Sequence, residues 1–434
     1  MRCRSRELWG RAICVGTLLG LLMPDQALAI PAFARRYQTS CTTCHVIIPK
    51  LNAFGIAFRN NGYRIPPNDL KFVKIPDVPL GAPGWKRLWP DAIWPGGIPA
   101  IAPVALRIMN DVVVNPSKTA QVDFVFPSEF EFLAGGTAGD GISYFVELEV
   151  MASHEVEGDR VQMERMFVQF DQMGGTTLAN LKVGRFEMRA VPFSRFHRRP
   201  GLSDFMAMDF RSPSDGVHFR RAQMGVEFWG AKSGRNGRGG IEYAVGVVNG
   251  SGNKPDNNTA KDVYTRFSYK FGGFGVTGSD EEGEELTQTR NWRDDSVKVG
   301  MTSYFGKGDF AEGPDSFWRL GGDVDFFIGD LNVSAVALRG RDEMQATRVA
   351  TVFTAASVEA NYIVKPWIMT VLRYDSVSRD HGPDIRRLVP AVVLAIRANV
   401  RVVAEWEAFF ETSFDAVRET SGDSRARIRL DIVF

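Results

Sequence analysis

Two cysteines and a histidine stand together near the start of the chain, in the stretch SCTTCHVIIPKLNAF. Cys41 and Cys44 are separated by two residues, and His45 follows directly. This C-x-x-C-H pattern is the attachment signature of c-type haem. Two thiols at this spacing reach the two vinyl groups of one porphyrin, and the next residue presents an imidazole to the iron. The sequence therefore predicts one covalent haem c, with Cys41 and Cys44 as the thioether residues and His45 as the proximal axial ligand.

Two other uses of paired cysteines are less consistent with the sequence. A structural zinc ion needs four ligands, and no second Cys or His pair stands at a suitable spacing. A thioredoxin-like dithiol belongs beside a βαβ pattern, which the chain lacks. A disulfide between Cys41 and Cys44 would close only a very small ring and would constrain the unfolded chain little.

The second axial ligand of the iron stays open. A methionine there would raise the reduction potential relative to a second histidine. The candidates are four histidines and two loop methionines: His154, His197, His218, His381, Met206 and Met208. Four cations near the motif are candidate partners of the haem propionates: Arg35, Arg36, Lys50 and Arg64.

The first residues predict export. Residues 1–29 show a basic start, an apolar run and an A-x-A cleavage signal, as a signal peptide does. Cleavage after Ala29 removes Cys3 and Cys14, so that Cys41 and Cys44 are the cysteines that remain. The whole chain has 52 Lys and Arg against 51 Asp and Glu, a balance that gives no indication of a nucleic-acid partner.

The rest of the chain alternates between apolar and polar residues with the period of two that β-strands have. In ISYFVELEVM (142–151), DVYTRFSYKF (262–271) and VRVVAEWEAFFE (400–411), apolar side chains share one face and charged or polar ones share the other. Soluble sandwiches also alternate, but these segments run to about 10 to 13 residues, as membrane-spanning strands do. The last residues, RARIRLDIVF, resemble the C-terminal strand signal of bacterial outer-membrane proteins.

The predicted fold class is all-β: a transmembrane antiparallel β-barrel of about 16 strands with a small N-terminal α-helical monohaem c-type cytochrome plug. The strands are expected near residues 101–114, 121–133, 142–151, 161–171, 178–188, 217–230, 240–249, 261–272, 296–306, 316–328, 331–340, 351–364, 366–376, 387–397, 400–411 and 425–434. Short turns alternate with long loops, as in outer-membrane barrels. The acidic connection between residues 273 and 296 is long where a short turn is expected, so the count could be wrong there by one hairpin. The long loop after residue 188 is expected outside the cell.

Four regions follow along the chain: the signal peptide (1–29), a haem segment (30–66), a linker rich in Pro and Trp (67–100) and the barrel (101–434). The haem segment has too few residues for a core of its own, so the haem and the barrel must complete it. Within it, Pro49 is predicted to begin a short helix whose apolar face includes Leu51, Phe54 and Phe58.

Residues 31–63, PAFARRYQTSCTTCHVIIPKLNAFGIAFRNNGY, resemble the start of the fused outer-membrane monohaem c-type cytochrome–porin family of the iron-oxidation type. The shared features are a P-x-F-A-R stretch, one C-x-x-C-H, a P-x-L-x-x-F-G-x-x-F helix and a final G-Y. Over the barrel the resemblance covers only architecture and length. It implies one haem c and electron transfer across the outer membrane, with Fe(II) as the donor in the best-known members.

The expected function is therefore transfer of single electrons across the bacterial outer membrane, from an extracellular donor such as Fe(II) to a periplasmic c-type cytochrome or other carrier. The haem segment is expected at the periplasmic side or in the barrel lumen. No catalytic residue and no bond-making catalysis are predicted, although an iron:cytochrome oxidoreductase is compatible with the pattern. A solute porin with a structural or regulatory haem plug is the alternative, and a peroxidase-like haem enzyme comes third.

Overall fold

The computed structural model describes most of the chain after the N-terminal residues. The described residues are 32–79, 97–119, 121–151, 160–194, 199–209, 219, 222–252, 256, 258–278, 290–310, 313–344, 349–380, 384–411 and 424–434. The predicted signal peptide and the linker tryptophans Trp85, Trp89 and Trp94 lie outside them.

Sixteen antiparallel strands form a closed barrel, in which every strand pairs with its neighbours in sequence and the last strand pairs with the first. Their bounds are β5 Val104–Val114, β6 Val122–Thr137, β7 Ile142–Met151, β8 Arg160–Phe170, β9 Asn180–Phe186, β10 Gln223–Ser233, β11 Arg238–Val248, β12 Asp262–Phe274, β13 Ser296–Phe310, β14 Gly313–Ile328, β15 Leu331–Met344, β16 Val349–Lys365, β17 Ile368–Arg379, β18 Ile385–Arg397, β19 Val400–Glu411 and β20 Arg425–Val433. The predicted strand number is confirmed. The preceding strands β1 (His45–Ile47), β2 (Lys50–Leu51), β3 (Val78–Pro79) and β4 (Gly97–Ile98) are short and are not part of the barrel sheet.

The two faces of the barrel wall have opposite character. Large apolar side chains on the outer face are exposed, among them Phe267, Trp406 and Phe410. On the inner face of β19, Arg401, Glu405 and Glu407 are buried. Strand alternation puts every second residue on the same face, so the period of two in the sequence becomes an apolar exterior and a charged interior. This is the arrangement of a barrel whose exterior faces lipid.

The two ends of the barrel differ in the lengths of their connections. At one end, here called the short-turn end, β14–β15, β16–β17 and β18–β19 are joined by two residues each, and both chain termini of the barrel lie there. Most connections at the opposite, long-loop end are longer, such as 249–261 and 412–424, although β13 and β14 are joined there by two residues. At the short-turn end the connections 171–179 and 275–295 are longer than the others. The sixteen strands close without a further hairpin from the connection 275–295.

The connection between β9 and β10 starts and ends at the long-loop end but folds into the lumen, and we call it the inward loop (187–222). In the described part of this loop, helix α3 (Met206–Asp209) contacts β15, β16 and β17. The amide of Met206 donates to Asp375 Oδ1 at 3.1 Å, and Arg373 Nη1 donates to the carbonyl of Ser203 at 3.0 Å. The sequence predicts this loop on the extracellular side if the N-terminus starts in the periplasm. Its ends lie at the long-loop end, but these described parts turn into the lumen, where lumenal side chains bind the loop backbone.

The inward loop and the barrel wall share an apolar cluster, here called the lumenal core. It includes Met188, Phe193, Phe205 and Met208 of the loop and the following wall residues: Val248, Tyr264, Tyr304, Phe317, Val336, Leu338, Phe353, Ala355, Val377 and Ile385. Tyr264 and Tyr304 stack with centroids 6.3 Å apart, and Tyr304 stacks on Phe317 at 5.8 Å. A part of the lumen is therefore filled by packed side chains.

The N-terminal segment (32–79) consists of short elements. They are α1 (Ala32–Tyr37), a 3₁₀ turn (Cys41–Thr43), β1 (His45–Ile47), β2 (Lys50–Leu51), α2 (Ala53–Asn60), a 3₁₀ turn (Asp69–Lys71) and β3 (Val78–Pro79), which pairs with β4 (Gly97–Ile98). Each helix in the described residues is too short or too polar to cross a bilayer.

The helix predicted near Pro49 begins later than expected. Asn52 caps α2 by accepting a hydrogen bond from the amide of Gly55 at 2.8 Å. Pro49 lies in the turn between β1 and β2, and Leu51 belongs to β2. An Asn cap satisfies amides that the helix leaves unpaired, which explains the later start. Gly62, at φ +63°, follows the helix in a conformation that favours glycine.

The N-terminal segment packs against the short-turn end of the barrel. Asn60 Nδ2 donates to the carbonyl of Val276 at 2.8 Å, and Arg64 pairs with Asp171 at 3.2 Å. The ring of Phe54 lies 6.5 Å from that of Phe274. The segment thus completes its small core with barrel residues, as its length requires.

Candidate functional site

Cys41, Cys44 and His45 line one cavity between the N-terminal segment and the barrel wall. Ser40 caps the 3₁₀ turn, with its Oγ accepting from the amide of Thr42 at 3.3 Å. The amide of Cys44 donates to the carbonyl of Cys41 at 3.2 Å. The turn brings both thiols to the same cavity, and neither cysteine forms a disulfide.

His45 is held in an orientation that suits an iron ligand. Its Nδ1 lies 3.2 Å from the carbonyl oxygen of Pro49, which leaves Nε2 available. Burial lowers the pKa of this imidazole to about 4; the Pro49 contact opposes the shift, and Arg401 and Arg107 add to it. A neutral imidazole, fixed through its second nitrogen by a backbone carbonyl, is the form that binds metals.

The two thiols differ from those of a redox dithiol. Burial raises the pKa of Cys44 to about 12, with the neighbouring Cys41 adding to the shift. Burial also raises the pKa of Cys41. Reactive dithiols need a lowered thiol pKa. Within the described residues, no group of three or more His, Cys, Asp or Glu side chains is placed to hold a metal ion.

The C-x-x-C-H loop is fixed from behind by two asparagines. Asn52 Nδ2 donates to the carbonyl of Thr43 at 3.0 Å. Asn291, from the connection between β12 and β13, donates to the carbonyl of His45 at 3.1 Å and also to that of Thr42. Helix α2 packs directly on the loop at Gly55, where a Cβ would lie 2.1 Å from the carbonyl oxygen of Cys44. The loop is therefore a fixed platform on one side of the cavity.

The cavity has a volume of about 360 Å³, within the range of small-molecule and cofactor sites. Aromatic rings cover one side of it. Phe33 lies 5.0 Å from Tyr63 and 5.3 Å from Phe58, measured between ring centroids, and Tyr63 lies 6.4 Å from Phe145. All four line the cavity. This side offers an apolar surface to a flat ring system.

The opposite side follows the barrel wall for most of its height. Along β20 the lining residues run from Val433, near the short-turn end, to Arg427, and along β5 they run from Ala105 to Met109. At about 3.3 Å per residue, the stretch from Val433 to Arg427 extends roughly 20 Å along the strand. The cavity therefore begins at the C-x-x-C-H loop and reaches toward the long-loop end.

Seven arginines line the cavity: Arg59, Arg107, Arg165, Arg199, Arg401, Arg427 and Arg429. Arg107 and Arg401 share Asp431, at 2.6 and 2.8 Å. By contrast, Nε and Nη1 of Arg199 and Nε of Arg427 are buried without a hydrogen-bond partner. The cavity offers two attachment thiols, an available imidazole nitrogen, an aromatic side and cationic nitrogens without partners. These features match a haem, which has an apolar ring and anionic propionates. The residues present fit the predicted haem c.

The candidate second ligands and propionate partners that fall within the described residues do not line this cavity. The four histidine candidates His154, His197, His218 and His381 fall outside the described residues. Met206 and Met208 belong to α3 and pack in or against the lumenal core. The propionate candidates also have other contacts: Arg36 pairs with Asp77, Arg64 pairs with Asp171, Arg35 donates to the carbonyl of Val104, and Lys50 lies over the ring of Phe327.

The lumenal glutamates have structural partners. Glu405 accepts from the amides of Leu202 and Ser203, both at 2.8 Å, and Glu407 pairs with Arg387 at 2.6 Å. Glu147 pairs with Arg165. These carboxylates fasten the inward loop and the wall. The residues that the sequence reasoning missed are the lumenal arginines of the cavity. Arg427 could have been predicted to face the lumen, because it lies four residues before Asp431 on the same strand and therefore on the same face. No local pattern marks Arg199.

Comparison of the sequence with protein-family models and with curated proteins returns no match. Solved structures do match. An anion-selective porin from Comamonas acidovorans shares 9% identity, with 76% of this chain and 98% of that one covered and a TM-score of 0.53. OmpF of Salmonella typhi, in complex with daunomycin, shares 10% identity over 76% and 97%, with a TM-score of 0.51. OmpT of Vibrio cholerae, in a trimer form, shares 11% over 76% and 98%, with a TM-score of 0.50. The fold is that of the outer-membrane porins.

Proposed function

We propose that this protein is an outer-membrane c-type cytochrome–porin that passes single electrons between the two sides of the outer membrane. The proposal rests on one observation: Cys41, Cys44 and His45 line a single cavity that continues along the barrel wall to Arg427. A haem c at this place supplies a one-electron couple. His45 would hold the iron of such a haem, and the aromatic side of the cavity would exclude water from its ring. No residue is assigned a catalytic role.

The barrel supports an orientation in the outer membrane. Its exposed apolar exterior suits lipid, and outer-membrane barrels have short periplasmic turns and longer extracellular loops. The short-turn end is then periplasmic, and the N-terminal segment lies on the periplasmic side. Gln38, Ser40 and Thr42 are exposed beside the C-x-x-C-H loop, so a periplasmic c-type cytochrome or other carrier has access close to the haem.

The shape of the cavity supports access from the other side. The apolar band of an outer-membrane barrel is about 25 Å tall, and its strands are tilted by about 35–45°. The roughly 20 Å of β20 that lines the cavity at the usual strand rise therefore spans about 15 Å of that height. An extracellular donor such as Fe(II) has roughly 10 Å of the band left to cover. The resemblance of residues 31–63 to the cytochrome–porin family supports the same reading.

A solute porin with a structural or regulatory haem is the second candidate, because the solved structures with this fold include porins. An open solute channel needs free lumenal space. In the described part of the lumen, Phe193, Phe205 and Met208 of the inward loop pack against the wall. This packing narrows the described part of the lumen. The solved structures support the porin more directly than they support electron transfer, and the cavity at Cys41, Cys44 and His45 is the observation that favours electron transfer.

One experiment separates the two candidates. The purified protein is reconstituted in liposomes with an oxidant trapped inside, and Fe(II) is added outside while the haem spectrum and the trapped oxidant are followed. We expect rapid reduction of the haem and inward electron transfer in the wild type, and neither in His45→Ala. If another external donor reduced the haem but Fe(II) did not, the proposal of electron transfer across the membrane would stand, but Fe(II) would not be the donor. Free swelling of the liposomes in solutes, with no donor reducing the haem, would establish the porin.

A further inference from the structure

Arg199 is a buried cation whose charge is only partly compensated. It lies on the inward loop, is 2% exposed and lines the cavity. Its Nη2 donates to Asp204 Oδ1, whereas its Nε and Nη1 have no partner. A guanidinium group removed from water costs free energy unless its donors are paired. Two of its donor nitrogens are therefore available to an anion in the cavity.

Arg427 approaches the cavity from the barrel wall close to the same place. It stands directly opposite Glu405 in the pairing of β19 with β20. The Glu405 carboxylate already accepts the amides of Leu202 and Ser203, which follow Arg199 by three and four residues. Glu405 thus connects the two arginines in space, while Nε of Arg427 is buried without a partner.

Arg429 of β20 and Arg107 of β5 contrast with this pair. Arg429 binds both carboxylate oxygens of Asp111, at 2.7 and 2.8 Å. Arg107 binds both oxygens of Asp431, at 2.8 and 2.6 Å. These bidentate pairs use the guanidinium fork within the wall. Unpartnered buried guanidinium nitrogens line the cavity only at Arg199 and Arg427 among the described residues.

We propose that Arg199 and Arg427 bind the two propionate carboxylates of the haem that is attached at Cys41 and Cys44. This inference rests on the proposed function and adds an orientation to it. The thioether edge lies at the short-turn end, next to the periplasmic carrier, and the propionates point up the cavity. Because Arg199 belongs to the inward loop, the haem also fastens that loop to the wall.

The test compares midpoint potentials and their pH dependence in purified holoproteins. Removing a positive charge beside a propionate favours the ferric haem, so Arg427→Gln should lower the potential while haem content stays at the wild-type level. Loss of the cation also raises the propionate pKa, so the pH-dependent part of the potential should move to higher pH. Arg427→Lys keeps the charge and should stay close to the wild type.

Arg235→Gln, in an exposed turn at the short-turn end, makes the same charge change away from the cavity and should leave the potential unchanged. Arg199→Gln should also lower the midpoint potential. If this variant loosens the inward loop, Arg427→Gln alone decides the test. Full haem content with an unchanged potential and pH profile in Arg427→Gln would overturn the inference. Absence of covalent haem from the wild type would instead remove the proposed function itself.

Discussion

The lumenal core and the cavity lie inside the same barrel but satisfy their buried groups differently. In the core, Arg373 pairs with Glu359 at 3.3 Å and Asp375 at 3.0 Å, and its guanidinium carbon lies 5.2 Å from the ring of Phe205. In the cavity, Arg199 and Arg427 keep unpartnered nitrogens. In the core, other protein atoms pair with the buried charges, whereas the cavity has an aromatic side and cationic nitrogens that have no protein partner.

The difference between core and cavity indicates where in the barrel a cofactor binds. A barrel that is filled only for stability would pair its buried ions throughout, since an uncompensated buried charge is costly. Among the arginines that line the cavity in the described residues, Arg199 and Arg427 carry that cost. The four predictions that follow test this contrast, from the largest expected effect to the smallest.

The double variant Cys41→Ala and Cys44→Ala should lose covalent haem completely, because both thioether bonds disappear. The barrel should still form, since its sixteen strands pair without these residues. Haem staining after denaturing electrophoresis measures the first effect, and heat-modifiable migration measures the second. Thr42→Ala, an exposed change between the two cysteines, should keep the stain. Stain that persists in the double variant would contradict the attachment sites.

Asp375→Ala should cost about 3–5 kcal/mol of unfolding free energy, because it leaves Arg373 and Arg387 buried without their shared carboxylate. The matched change in the cavity is Arg427→Gln in haem-free protein, where we expect about 0.5 kcal/mol or less, since no protein partner of Nε is lost. Urea unfolding in lipid vesicles measures both. Equal losses in the two variants would remove the contrast between core and cavity.

Phe205→Ala should cost about 3 kcal/mol whether or not haem is bound, because Phe205 is 1% exposed within the lumenal core. Phe58 lines the cavity and touches Phe33 and Tyr37. Phe58→Ala should therefore destabilise the haem-bound protein more than the haem-free one, by roughly 1 kcal/mol for the lost contact with the ring. The same unfolding assay measures both variants. If Phe58→Ala lowered the unfolding free energy equally with and without haem, the haem ring would not lie against Phe58.

Asn291→Ala should cost about 1 kcal/mol, the net worth of an intramolecular hydrogen bond. The effect should be local, because the side chain donates to the carbonyls of Thr42 and His45. Hydrogen exchange of residues 41–52 should speed up while exchange of the barrel strands stays the same. Asn258→Ala, whose side chain donates to the Lys307 carbonyl, serves as the control. Unchanged exchange in residues 41–52 would show that Asn291 does not hold the loop.

The barrel could be predicted well because its signal is local. Each strand places alternate residues in lipid and in the lumen, so a period of two marks both its existence and its inner face. The apolar face predicted for residues 425–434 is the outer face, with Ile428 and Leu430 exposed and Asp431 buried. The doubtful connection at residues 273–296 adds no strand to the sixteen of the barrel, and its described end carries Asn291, which contacts the predicted site.

The rest of the site depends on contacts between distant residues, which leave no periodic signal. The inward loop is drawn into the lumen by Glu405, some two hundred positions after Leu202, so its loop-like sequence predicted a surface position. The three motif residues could be read from their spacing alone, because covalent chemistry fixes that spacing. The arginines of the cavity could not, since a lumenal arginine looks the same whether it has a wall partner or not.

The hydrogen bonds from Asn291 to the C-x-x-C-H loop imply an order for haem attachment and barrel assembly. Asn291 follows eight barrel strands in the chain, so the loop is held only after much of the barrel has assembled. Thioether formation needs accessible thiols, and burial raises the pKa of Cys44 to about 12 once the loop is docked. We therefore expect maturation in the periplasm to attach the haem before the barrel closes in the membrane. A closed, haem-free barrel that later accepted covalent haem would contradict this order.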